Sequence, residues 1–269
     1  MSNDASNVKT ETVAIELAGV AVTHADATEA VLVRDVNWRI GSGDFWAVSG
    51  RQASGRSSLL MTAAGLNRPM AGTVRILGKD FAEAHEKDRV EWRRRIGYVF
   101  EYSGRLFSHL TVAQNIALPL QYHGGKDENE IAARVDELLT MTKLQDYAGH
   151  MPSRLSLGVQ QRVGLARALA PTWGKGSTIE ILFLDNPLST LSPRECRWWL
   201  DFVRQLHENH RAKGKPLTVV ASADDFRGWL DVADLFAILE GGRFRVVGGR
   251  EQLSASAEPV VRDFLVKEY

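Results

Sequence analysis

Apolar residues take alternate positions through Val36-Asn37-Trp38-Arg39-Ile40, the period-2 rhythm of a strand with one buried face. Gly41-Ser42-Gly43-Asp44 then predicts a turn. The chain resumes as the apolar run Phe45-Trp46-Ala47-Val48-Ser49, a second strand. Further strands are predicted at Thr73–Leu77, Ile96–Phe100, Ile181–Leu184, Leu217–Ala221 and Leu235–Glu240. The last pairs with Arg243–Val247 across Gly241-Gly242, a two-residue hairpin turn. Between Phe100 and Ile181 the texture is helical, with Ile131, Val135, Leu138 and Leu139 on one apolar face. Strands interleaved with helices predict an α/β core with a parallel sheet. The helical stretch reads as a lobe inserted into that core. Past Val247 the tail, through Pro259 to Tyr269, is expected to carry one short amphipathic helix.

Composition narrows the class. The 269 residues are 44% hydrophobic and 25% charged, as expected of a soluble globular chain. Formal net charge is zero, so nothing global points to nucleic acid or an anionic surface. One cysteine, Cys196, excludes a disulfide framework and fits a reducing compartment. It shares a predicted helix with Trp199, Leu200 and Val203, and buried packing is its expected role. The start, MSNDASNVKT, is polar and has no apolar h-region, so no signal peptide is expected. No apolar run reaches spanning length. Any membrane role must come through a partner.

The candidate chemistry begins at Gly50-Arg51-Gln52-Ala53-Ser54-Gly55-Arg56-Ser57. The frame is G-x-x-x-x-G-K-[ST] with arginine in place of lysine. A strand precedes it, and Ser57-Ser58-Leu59-Leu60-Met61 opens a helix behind it. Backbone N–H groups in such a loop, with a helix N-terminus behind them, cradle phosphate. The second signal is Ile181-Leu182-Phe183-Leu184-Asp185, a buried strand placing a carboxylate at its C-terminal edge. Open α/β sheets bind ligands there. With the loop, Asp185 reads as the residue that holds Mg²⁺ through water, and the Ser57 hydroxyl as a direct ligand.

Between these lies Leu155-Ser156-Leu157-Gly158-Val159-Gln160-Gln161-Arg162, followed by Ala166-Arg167-Ala168-Leu169. This resembles the LSGGQ signature of ATP-binding-cassette (ABC) proteins, and the likeness covers essentially the whole chain. Ile96–Glu101 resembles the Q-loop strand, Asn186–Ser192 the run into the D-loop, and Thr218–Asp224 the H-loop. The resemblance implies a P-loop NTPase fold of ABC type, with an antiparallel β layer and an inserted helical lobe. It divides the chain into a polar tail (1–10), a nucleotide-binding domain (11–248, lobe about 103–172) and a helical tail (249–269). It implies ATP and Mg²⁺ as ligands and a head-to-tail dimer, homo- or heteromeric. In that dimer Ser156, Leu157, Gly158 and Val159 act in trans on the partner's nucleotide. It implies a cytoplasmic subunit, peripheral on the inner face of the membrane and bound to an integral permease. His24 falls where the family stacks an aromatic on adenine. A narrower likeness, in Ser103–Phe107, Asn115–Leu120 and Ala233–Leu265, is to ATPases of MCE-linked phospholipid transporters. It implies a lipid cargo and an MCE-type periplasmic protein as a further partner.

The departures from the family pattern form a set. Arg56 stands for lysine, Glu101 for glutamine, Asn186 for the water-polarising glutamate and Ala223 for histidine. Ser192 replaces an aspartate, Leu157 a glycine and Val159 a glutamine, whereas Ser156 and Gly158 remain. An amide at Asn186 cannot accept a proton. A general base contributes roughly 10²–10⁴-fold. Nucleotide and metal binding are thus spared while hydrolysis is expected to weaken. The site also gains an acid at Glu101, which suggests that Glu101 holds the metal and partly takes over water orientation. Faults on both the loop side and the signature side sit in one chain. A homodimer would carry two doubly damaged sites, and a heterodimer one fault set in each.

Several features receive plain readings. Arg93-Arg94-Arg95 reads as a solvated edge rather than a nucleic-acid patch. His207 and His210 read as surface histidines without a metal-binding companion. Trp198-Trp199 is expected to split between a partly exposed position and the core. Phe107–Leu120 is more apolar than a surface helix needs, and by resemblance this is where a permease docks.

Overall fold

The computed structural model describes residues 12–24, 27–102, 105–122, 127–171 and 179–265. The expectations on the 1–10 tail, on Ser103 and Gly104, and on the last four residues lie outside them.

The sheet is built outward from one strand. All six residues of β3 (Phe45–Gly50) are buried. It runs parallel between β8 (Thr218–Ala223) and β9 (Leu235–Glu240). Beyond β8 lie β7 (Ile181–Leu184) and β6 (Ile96–Val99), also parallel. A parallel sheet is covered on both faces, so its strands read as continuous apolar runs. Alternate residues still go to opposite sides. Phe45 and Ala47 join one core with Leu182, Leu184, Val219 and Ala221. Trp46 and Val48 join the other with Ile181, Phe183 and Val220.

The second core is closed by α1 (Arg56–Ala63), through Leu59, Leu60 and Ala63, and by an antiparallel layer. That layer comprises β1 (Val13–His24), β2 (Ala27–Gly41), β4 (Ala71–Ile76) and the two-residue β5 (Lys79–Asp80). The whole ten-stranded order is β5-β4-β1-β2-β10-β9-β3-β8-β7-β6, with β10 at Arg243–Gly249. β9 and β10 form the expected hairpin; Gly241 and Gly242 have φ of 57° and 72°. A type I′ turn requires positive φ at both central positions.

The first core is closed by the helical lobe. α3 (Val112–Tyr122), α4 (Glu128–Met141) and α5 (Leu157–Leu169) pack together over the strand edge. Val135, Leu138 and Leu139 are buried on α4, and Ile131 packs beside them. α6 (Pro193–Ala212) adds Trp199 and Val203.

The structure corrects several expectations. β1 is absent from the predicted strands because its pairing with β2 slips register at five points between Val13 and His24, which hides the alternation. α2 (Glu86–Arg95) is so polar that only Asp88 and Trp92 are buried on it. The tail carries two short helices, α7 (Arg250–Ala255) and α8 (Pro259–Asp263), rather than one. His207 is not a surface residue: it is 6% exposed, packs edge-on to Phe45, and its Nε2 lies 2.9 Å from the Gly43 carbonyl oxygen. His210 is half-buried on the same helix. Cys196 is only half-buried, its thiol near the carbonyl oxygens of Leu188 and Leu191. Trp198 and Trp199 split as expected. Trp199 is buried, whereas Trp198 stacks on Phe202 with Arg162 over its ring. Among the described residues no helix is long and apolar enough to cross a membrane, and no group of three metal-ligating side chains occurs.

Candidate functional site

The phosphate-loop segment connects β3 to α1, and two glycines make that connection possible. A Cβ on Gly50 would lie 2.4 Å from the Leu239 carbonyl oxygen on the neighbouring strand. Gly55 has φ of +100° and is the N-cap of α1. A side chain is rarely tolerated in that left-handed region. No side chain caps α1, so its first-turn N–H groups are left to the loop. The Ser54 hydroxyl is buried there without a partner.

A cleft of about 810 Å³ opens above the loop. All of Gly50 through Ser58 line it, together with His24, Glu101 and Asn186. The four signature residues do not. Ser156 instead caps α5, its Oγ accepting from the Val159 N–H at 3.4 Å. Leu157 is exposed, Val159 is buried, and Gly158 abuts Glu195: a Cβ there would lie 2.0 Å from Glu195 Oε1. One chain therefore does not bring loop and signature together.

Asp185 lies just past β7 and is 4% exposed. Its Oδ1 accepts from Ser57 Oγ at 3.1 Å and from Ser222 Oγ at 2.8 Å. Its Oδ2 accepts from the Tyr98 hydroxyl at 3.3 Å. Burial pushes the Asp185 carboxyl above the ordinary range, against these three bonds. The buried carboxylate, the adjacent hydroxyl and the tight glycine cradle fit a phosphate-bound hard cation, which takes oxygen ligands.

Arg56, Glu101, Asn186 and the Ala223 carbonyl form one connected network through Asp224. Asn186 Nδ2 donates to Glu101 Oε1 at 2.7 Å and lies 3.3–3.4 Å from both carboxylate oxygens of Asp224. Burial raises the Glu101 pKa; the Asn186 hydrogen bond opposes this and the Asp185 charge adds to it. Asn186 has φ of 44°, and its N–H donates to Ser222 Oγ at 2.9 Å. Asparagine is among the few residues that accept this backbone region readily. Arg56 is 9% exposed and reaches the end of β8. Its Nη1 donates to the Ala223 carbonyl, and its Nη2 to Asp224 Oδ1 at 2.6 Å. At the rim, Arg51 pairs with Glu240 at 3.5 Å and with Asp263 at 3.9 Å.

The sequence signals did not assign Asp224, Asp263 or Phe264 to the cleft, nor Ser222 and Tyr98 to the Asp185 carboxylate. Asp224 directly follows the Ala223 position, and arginine at 56 reaches further than lysine; those two facts were the available signal.

Loop, strand-end carboxylate and sheet order together define a P-loop NTPase. The profile of the family described as ABC transporter matches residues 33–189, more than half of the chain, and the chain belongs to that family. Its fold is the family's nucleotide-binding fold. The sulfate/thiosulfate import ATP-binding protein CysA of Mycobacterium bovis is 36% identical over 91% of this chain and 66% of that one. The methionine import ATP-binding protein MetN of Cupriavidus metallidurans is 35% identical over 85% of this chain and 63% of that one. The chain thus spans just under two thirds of the length of these relatives. Among solved structures, the dimeric ATP-binding cassette MJ0796 in a post-hydrolysis state with ADP and Pi has a TM-score of 0.75 at 28% identity, covering 87% of this chain and 99% of that one. These relatives are named for import of sulfate, thiosulfate and methionine, and they do not support the narrower likeness to phospholipid-transport ATPases.

Proposed function

We propose that the chain is the ATP-binding subunit of a membrane transporter, taking Mg·ATP in the cleft above Gly50–Ser58 and hydrolysing it slowly. The observation that carries this reading is the Ser57 hydroxyl 3.1 Å from Asp185, beside a glycine-tight phosphate loop. When bound, Mg·ATP supplies an electrophilic γ-phosphoryl group with its charge partly neutralised. The loop N–H groups and the first turn of α1 orient the phosphates. Ser57 and Asp185 would hold the metal, and Tyr98 and Ser222 fix the Asp185 carboxylate. His24, exposed at the cleft rim, is available to stack on the base. No side chain at 186 can take the water's proton. Glu101 is the carboxylate nearest that position.

The signature residues lie outside the cleft, and a second subunit must present its own to complete the site. Phe107 and Tyr122 are 45% and 75% exposed, and with Phe100, Leu118 and Pro119 they line an apolar groove on the lobe. That groove suits a permease segment, which supports a subunit peripheral on the inner face of a membrane. The relatives' names favour import of a small solute. A lipid cargo and an MCE-type partner rest only on the motif likeness in the chain. A second reading, a regulator whose closure ATP controls without turnover, is favoured by the Arg56–Asp224 contact. Light scattering of the purified protein with saturating Mg·ATP tests the reading. A shift from monomer to dimer mass supports it. An unchanged mass with nucleotide bound contradicts it.

A further inference from the structure

We propose that Asp224 is a latch on the nucleotide site, a carboxylate that occupies Arg56 until phosphate takes its place. The inference rests on the reading of the cleft as a nucleotide site. Arg56 is the first residue of α1, at the floor of the loop. Its guanidinium is held at the far side of the cleft by the Ala223 carbonyl and the Asp224 carboxylate. A planar fork reaches two acceptors with donors at a fixed spacing, whereas the three donors of a lysine ammonium share one atom on a shorter stem.

Asp224 takes one charge-assisted bond from Arg56, Nη2 to Oδ1, and a phosphate oxygen can accept that same bond. The exchange therefore preserves the bonding pattern of Arg56 while changing its partner. Asp224 is the reachable half of the pair: its side chain is 55% exposed and lines the cleft, whereas that of Arg56 is 10% exposed. Asn186 Nδ2 lies 3.3 Å from Asp224 Oδ2, so the carboxylate keeps a donor after Arg56 leaves. In the free protein the loop cation is neutralised from within. Nucleotide must compete with Asp224 for it.

Titration of Mg·ATP into four proteins tests this: wild type, Asp224→Asn, Arg56→Lys and the double variant. Asp224→Asn should tighten binding about threefold to tenfold, the range for a charge-assisted pair open to solvent on one side. In the Arg56→Lys background the same substitution should change affinity less than about twofold, because the coupling is gone. An equal gain in both backgrounds means simple repulsion between Asp224 and phosphate and overturns the latch. Unchanged or weaker binding in Asp224→Asn, as for a purely structural contact, also overturns it. Asp224→Ser is read in the same way should Asp224→Asn fail to fold. If no form binds Mg·ATP, the nucleotide site itself is wrong; if all bind alike, only the latch is.

Discussion

Asn186 Nδ2 donates to Glu101 Oε1 across 2.7 Å, so an amide and a carboxylate face one another at the mouth of the cleft. The family pattern has the same two groups in exchanged places. Residues 101 and 186 are in direct contact, so a change at one alters the partner of the other. Returning Asn186 alone to glutamate sets two carboxylates in contact, which forces one to hold a proton. Asn186→Glu alone should lower the melting temperature and leave phosphate release unchanged. Its left-handed backbone adds a cost on the order of 1 kcal/mol for a residue other than Asn or Gly. The double variant Asn186→Glu/Glu101→Gln should recover stability and raise phosphate release by roughly 10²-fold, the lower range for a general base. Equal turnover in single and double variants would contradict the pairing.

Ser57 and Asp185 share a hydrogen bond that a metal would replace. Ser57→Ala should weaken binding of ATP in Mg²⁺ by about tenfold and leave metal-free binding unchanged, since a direct oxygen ligand is lost. Calorimetric titration with and without EDTA reads the difference. An equal loss in both buffers would assign Ser57 to the phosphates alone.

Much of this site was legible as local pattern. Strand–loop–helix around Gly50–Ser58, and an apolar run ending in Asp185, are periodic signals within a few residues. What escaped was long-range. Arg56 finds its partners 167 and 168 residues away, and no local pattern records that. His207 read as surface because its helix is largely polar, yet it faces the Gly43 carbonyl across the sheet end. β1 escaped because bulges interrupt its alternation.

Gly158 is held against Glu195, whose carboxylate also accepts from the Ser192 hydroxyl at 2.6 Å and the Ser192 N–H at 3.0 Å. That capping box starts α6. Gly158→Ala should push Glu195 away and cost about 1 kcal/mol, the worth of a lost cap. Glu195→Ala should cost about as much alone, and the double variant no more than either single. Denaturant melts of the three variants read this, and additive losses would contradict the contact.

Glu101 gives a pH signature to the nucleotide-free protein. Burial raises its folded pKa, so the native state binds the proton more tightly than the unfolded chain. Its contribution is greatest below the ordinary glutamate pKa and is lost as pH rises through the raised folded value. Asp185 shifts in the same direction and supplies a background slope. Melting temperatures without Mg²⁺, from about pH 4 to about pH 7, should therefore fall less steeply for Glu101→Gln than for wild type. Parallel curves would place Glu101 in a solvated setting.

The central claim is that this cleft binds Mg·ATP while its substitutions hold back hydrolysis. Calorimetric titration of Mg·ATP and a phosphate-release assay on the same purified sample test it most directly. The account predicts saturable binding, with turnover that rises only in Asn186→Glu/Glu101→Gln. Absence of binding, or rapid turnover by the wild-type chain that the double variant does not exceed, would contradict it.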